Sequence, residues 1–187
     1  NACRKFGHWQ KALHLMEDMR GARVTASTFI YNTAMSACTK AGQWQWALRL
    51  MEDMHDKRVV PDTVTYNVAL SACQKGEQWE RALQLIEDMR GTGVSGDTIT
   101  YGAAVIACAK GEQWCRVLQL VEQMGHLGVP ANTGIYTAAI MACQKSGQWQ
   151  RALWLMKEMH EKGIPVDTIT YNTAISAYQK GGQWQRT

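Results

Sequence analysis

Apolar residues recur along this chain with a helical spacing, in short blocks that alternate with polar breaks. From Tyr66 the positions Tyr66, Ala69, Leu70 and Cys73 follow at i, i+3, i+4 and i+7, which is one face of a helix. Gly76 interrupts that face, and Trp79, Ala82, Leu83, Ile86 and Met89 begin a second one at the same spacing. Gly91 and Gly93 close the second helix, and the stretch to Asp97 reads as a loop. At the start of the pair, Thr63 is a fitting N-cap, with Asp62 beside it at the positive end of the helix dipole.

The helical pair repeats. Trp9, Trp44, Trp79, Trp114, Trp149 and Trp184 stand 35 residues apart, and Tyr31, Tyr66, Tyr101, Tyr136 and Tyr171 keep the same interval. Cys3, Cys38, Cys73, Cys108 and Cys143 do so too, with no insertion or deletion. A period in this range marks stacked supersecondary units, because one helical hairpin cannot bury two apolar faces alone. The expected fold is therefore all-α, a right-handed α-solenoid of helix-turn-helix repeats. Its single array over 1–187 divides into 1–27 (partial), 28–62, 63–97, 98–132, 133–167 and 168–187 (partial). The first helices fall at 28–40, 63–75, 98–110, 133–145 and 168–180. In 1–27 only the last turn of a first helix is expected. Incomplete units at both ends suggest a fragment of a longer protein.

Composition narrows the function. The chain has 187 residues, 46% of them hydrophobic, which is ample for a core. No apolar run approaches the ~18 residues of a membrane helix, and no leader of the secretory kind opens the chain. Six cysteines at wide spacing suit small buried residues better than zinc ligands or a disulfide framework. The tryptophans on the ladder read as packing between helices. Cys115, beside Trp114, is the one candidate reactive thiol. No histidine pairs with a nucleophile or carboxylate at catalytic spacing. Neither catalytic nor metal-binding residues are expected, and no cofactor.

Charge is sorted by helix. The five first helices contain no Asp or Glu, and each ends in a lysine: Lys40, Lys75, Lys110, Lys145 and Lys180. Lys5 holds the same register in the partial first unit. The net charge is +4, and with these six lysines set aside the acids outnumber the bases. Stacked helices would repeat the ammonium groups about every 10 Å, a ladder suited to an extended polyanion. Six phosphate contacts would give a log K against log salt slope of roughly −4.

The motifs Thr-x-Thr-Tyr-Asn at 63–67 and 168–172, Ala-Leu-x-Leu at 82–85, Glu-Asp-Met at 52–54 and 87–89, and Val-Pro-Asp at 60–62 accompany the 35-residue period. Together they resemble the pentatricopeptide repeat family across the whole chain. The tryptophans after the inter-helix turn depart from that family's usual aliphatic residue. The resemblance implies binding of single-stranded RNA at one base per repeat, read by two or three side chains. It also implies a mitochondrial or plastid location, with a role in RNA processing, stability or translation. One implied reader follows the repeat tyrosine, a second closes the unit, and a third, two before the tyrosine, packs on the base.

Carried over by register, Asn32 pairs with Asp62 beside Phe29, and Asn67 pairs with Asp97 beside Val64. Both combinations resemble uracil readers. Thr137 with Asp167 resembles a guanine reader, although Gly134 stands at its packing position. Gly102 with Asn132, beside Ile99, is left unread with a lean to adenine. Asn172 and Ile169 have no closing partner before Thr187. The alternative is a structural or adaptor subunit of a large organellar complex, with other protein subunits as its partners.

Overall fold

The computed structural model describes residues 2–180, with side chains described for residues 9–179. Lys5, Lys180, Cys3 and Trp184 therefore lie outside the described side chains. The described residues form ten α-helices and no strand. They divide into two compact units, Asn1–Ser95 and Gly96–Thr187.

The first unit holds α1 (Ala2–Gly21), α2 (Thr28–Lys40), α3 (Trp44–Asp56), α4 (Thr63–Gly76) and α5 (Trp79–Gly91). The first helices α2 and α4 lie side by side, and α3 packs on both of them. Small residues permit this close approach. Ala34, Cys38, Ala69 and Cys73 are all buried where α2 and α4 meet their neighbours. The second unit holds α6 (Thr98–Lys110), α7 (Trp114–His126), α8 (Thr133–Lys145), α9 (Trp149–Glu161) and α10 (Thr168–Lys180). There α8 packs between α6 and α10, and α7 and α9 lie against the first helices on either side of them. The cysteine ladder is a set of free, buried thiols, Cys38, Cys73, Cys108 and Cys143. Burial pushes the Cys73 thiol up to about 12, so these groups stay protonated and act as packing. The tryptophan ladder is half-buried: the Trp44 ring lies against the Cα of Gly76, where a Cβ would be 2.4 Å from it.

Two expectations need correction. The N-terminal stretch does not break after its first turn, and α1 runs unbroken from Ala2 to Gly21. The glycine in this stretch, Gly7, costs a helix only about 1 kcal/mol relative to alanine and need not end it. The N-cap of α4 is Asp62, not Thr63: Asp62 has extended backbone (φ −112°) and accepts from the Thr65 N–H. Thr63 is the first helical residue. Its hydroxyl reaches forward to the carbonyl of Ser95 at 3.2 Å. The same bond recurs from Thr28 to Val60, Thr98 to Pro130 and Thr133 to Pro165. The opening threonine thus ties each repeat to the loop that ends it.

Each buried repeat tyrosine needs a polar partner for its hydroxyl. Tyr31 donates to Asp53 at 2.6 Å, and Asp53 also receives Lys57 at 2.8 Å and Arg20 at 3.1 Å. Burial raises the Asp53 carboxyl, but the bonds from Lys57 and Tyr31 and the charge of Arg20 outweigh it, so the group sits below the usual carboxylate range. A depressed carboxyl contributes stability that is complete above its unfolded pKa and lost as pH falls through its folded one. Below about pH 4 the wild-type protein should lose stability faster than Asp53→Asn, which should be the weaker protein at neutral pH. Urea midpoints across an acid series check this, and parallel curves would refute it.

Candidate nucleic-acid interface

In the first unit, the pair Asn32 and Asp62 meets as the register implies. Asn32 stands in the first turn of α2, Asp62 caps α4, and the side-by-side packing of those helices brings the two together. The Asn32 amide donates to Asp62 Oδ1 at 3.0 Å. The Thr65 backbone N–H and hydroxyl donate to the same oxygen, each at 2.8 Å. Burial raises the Asp62 carboxyl, but the Thr65 and Asn32 bonds overcome it and hold the group below its ordinary value. Asn32 Oδ1 is buried and has no hydrogen-bond partner. The amide is thus oriented by its donor side and keeps an unsatisfied acceptor.

Around this pair lies a cleft of about 980 Å³, lined among others by Phe29, Val64, Lys40 and Lys75. Phe29 is 77% exposed and Val64 56%, which is unusual for side chains this apolar. They flank the Asn32–Asp62 pair. Lys40 is exposed. The Lys75 ammonium donates to the Thr39 carbonyl at 2.6 Å, so it also ties α4 to the last turn of α2. Asn67 takes the equivalent place in the first turn of α4, and Asp97, in the second unit, caps α6 with Thr100 completing its capping box.

The second unit contains two further registers, and neither repeats that arrangement. Gly102 is buried, and a Cβ there would meet the Ile135 side chain at 3.5 Å. Ile135 is itself buried. Its partner by register, Asn132, caps α8 by accepting from the Ile135 N–H at 3.1 Å. The nearest neighbour of this position is therefore hydrocarbon. Thr137 and Asp167 are joined through a third residue. The Thr137 hydroxyl lies 2.7 Å from the Thr170 hydroxyl, which donates to Asp167 Oδ1 at 2.6 Å. Thr137 also lies 2.7 Å from the Thr133 carbonyl, to which it can donate. The Thr170 hydroxyl and backbone bonds hold the exposed Asp167 carboxyl below its usual range. Ile99 and Ile169 are exposed like Phe29 and Val64, Asn172 is exposed, and Gly134 leaves its packing position bare. Lys110 and Lys145 are exposed at the ends of α6 and α8.

Sequence reasoning missed the residue just before the repeat tyrosine. Thr65, Ile135 and Thr170 occupy that register, and each touches the slot of the preceding repeat. Among the described residues no group of His, Cys, Asp and Glu could hold a metal ion, and no helix is long and apolar enough to cross a membrane.

The PPR repeat family model matches residues 26–75, 61–110 and 131–180, and a second model, PPR repeat, matches 1–24. The chain belongs to the PPR repeat family. The matched windows 26–75 and 61–110 start 35 residues apart, in step with the period of the tyrosines. No curated protein matches the chain. Among solved structures, PPR10 in complex with an 18-nt psaJ RNA element is similar at 25% identity and a TM-score of 0.75, over 95% of this chain and 26% of that one. The PPR domain of Arabidopsis thaliana protein-only RNase P 1, in complex with tRNA, is similar at 17% identity and a TM-score of 0.83, over 95% and 93%. Nuclear proteinaceous RNase P 2 from A. thaliana aligns at 12% identity with a TM-score of 0.76, over 83% and 35%. This PPR chain thus spans about a quarter of the length of PPR10, and its fold class is the all-α solenoid of these proteins.

Proposed function

We propose that this PPR array binds single-stranded RNA, without catalysis of its own, and that each repeat able to form an open slot reads one base. The observation that carries this reading is the Asn32–Asp62 pair in its cleft. An oriented amide and a carboxylate line one cleft together with exposed Phe29 and Val64 and with Lys40 and Lys75. A base entering the cleft packs on the apolar pair, as single-strand binders do. Asp62 takes one of the two Asn32 amide protons, and the other is the donor offered to a uracil carbonyl. The likeness to PPR10 with its RNA element supports the same use, and family membership supports a mitochondrial or plastid setting in RNA processing, stability or translation. Asn67 with Asp97, and Asn172, are assigned by register to uracil and a pyrimidine, and Thr137 with Asp167 to guanine. The Gly102 register is left unassigned, because glycine has no side chain to reach a base. That gap is also the feature favouring the second reading, a protein-binding subunit of an organellar complex.

Anisotropy with labelled uracil-rich RNA, oligo(dT) and a scrambled RNA over a salt series tests the proposal. Preferential RNA binding that weakens with salt is expected, and Asn32→Val should erase the base preference at one position only. Equal binding of all three oligomers, or indifference to salt, would favour the protein-binding role.

A further inference from the structure

Thr170 lies in the repeat after the one whose base it would affect, yet it stands between that repeat's two assigned readers. Proton accounting gives this placement a consequence. Asp167 is an ionised acceptor, and both the Thr170 N–H and hydroxyl point to its Oδ1, at 2.8 Å and 2.6 Å. A hydroxyl has one proton. The Thr170 proton goes to Asp167, so the Thr170 oxygen can only accept from Thr137. The Thr137 proton then has two acceptors within the protein, Thr170 Oγ1 and the Thr133 carbonyl, each at 2.7 Å. Either choice leaves only lone pairs on Thr137 to meet a ligand. Two acceptors result, the Thr137 oxygen and the Asp167 carboxylate. Guanine is the base whose Watson–Crick edge carries two adjacent donors, N1–H and N2–H. Adenine and cytosine present a donor beside an acceptor, and uracil one donor between two acceptors.

We propose that the residue before the repeat tyrosine is a positioning residue for the preceding repeat's base, and that Thr170 favours guanine at the Thr137 register by holding the Thr137 oxygen, an acceptor once its proton goes to the Thr133 carbonyl, in line with Asp167. Two other registers show the same contact. Thr65 shares Asp62 Oδ1 with Asn32 and so holds the carboxylate where the Asn32 amide meets it. Ile135 would lie in ordinary contact, at 3.5 Å, with a Cβ placed on Gly102, so at that register the same position presents hydrocarbon. Thr, Ile and Thr at this position therefore leave three different slots, although helix propensity alone would treat them as interchangeable.

This inference rests on the RNA-binding reading, and the test separates the two. A set of RNAs differing only in the base opposite the Thr137 register is titrated against wild type, Thr170→Val, Thr170→Ser and Thr137→Val. Losing one hydrogen bond that aligns the reader should lower the guanine-over-adenine ratio about fivefold in Thr170→Val. Affinity for the rest of the RNA and the salt slope should stay put. Thr170→Ser, which keeps the hydroxyl, should retain the ratio, and Thr137→Val should lose it. A purely structural role for Thr170 would lower the folded fraction and scale all affinities together, leaving the ratio alone. Should valine unfold α10, Thr170→Cys makes the same comparison with a poor donor of similar size. An unchanged ratio in an RNA-binding Thr170→Val or Thr170→Cys protein overturns this inference alone. Absence of RNA binding by the wild type overturns the RNA reading and this one with it.

Discussion

Tyr136→Ala is expected to destabilise the protein by about 3–5 kcal/mol, the usual cost of removing a large buried ring. The Tyr136 side chain is fully buried in the second unit. Its ring lies 5.8 Å from the Lys162 ammonium, which also donates to its hydroxyl at 3.1 Å. Removing the ring opens a void beside Met124, Val129 and Ile164, which line the same hollow as Tyr136. Tyr136→Phe should cost only about 1 kcal/mol, since Lys162 keeps its partner Glu158 at 2.6 Å. The internal control is Tyr171, the same residue at the same register but 53% exposed. Tyr171→Ala should cost roughly 1 kcal/mol or less, with little apolar surface to lose. Urea denaturation followed by circular dichroism compares the three. Equal losses for Tyr136→Ala and Tyr171→Ala would mean that the ladder tyrosines do not act through burial.

The helices were legible because every repeat carries the same apolar face, and five agreeing copies suppress the ambiguity of one. The expected first helices at 28–40, 98–110, 133–145 and 168–180 coincide with α2, α6, α8 and α10, and α4 runs one residue past expectation. Cap identity was not legible. Asp62 and Thr63 are both good caps, and only the extended backbone at Asp62 shows which one takes the role. That single residue changes the chemistry of the candidate site, because the closing acid is both a structural cap and the partner of Asn32. The tyrosine partners were hidden for another reason. Asp53, Thr92 and Lys162 bond to Tyr31, Tyr66 and Tyr136, yet they share neither charge nor a single register. The Asn32–Asp62 pairing was foreseeable from stacking plus register. The Thr137–Thr170–Asp167 chain was not, since Thr170, the third residue of α10, reads only as a partner of the Asp167 cap.

Replacing Lys40, Lys110 and Lys145 together by glutamine is expected to lower the salt slope of RNA binding by about two. Each phosphate contact on a single strand contributes about 0.7 to that slope, and these three lysines are exposed at the ends of α2, α6 and α8. The loss should be the same whichever base is presented, because phosphates position a strand without identifying it. Stability should change far less than affinity, since each lysine at a helix C-terminus contributes about 0.3–1 kcal/mol through the dipole. Lys75 must be treated apart. Its ammonium already serves the Thr39 carbonyl, so Lys75→Gln should lower both the melting temperature and the affinity, and its affinity loss cannot be assigned to phosphate alone. The triple variant is judged on its salt slope, which a purely structural loss leaves unchanged. A wild-type slope in that protein would place the phosphates off this row, and the sorting of charge onto the first helices would then serve the helix ends only.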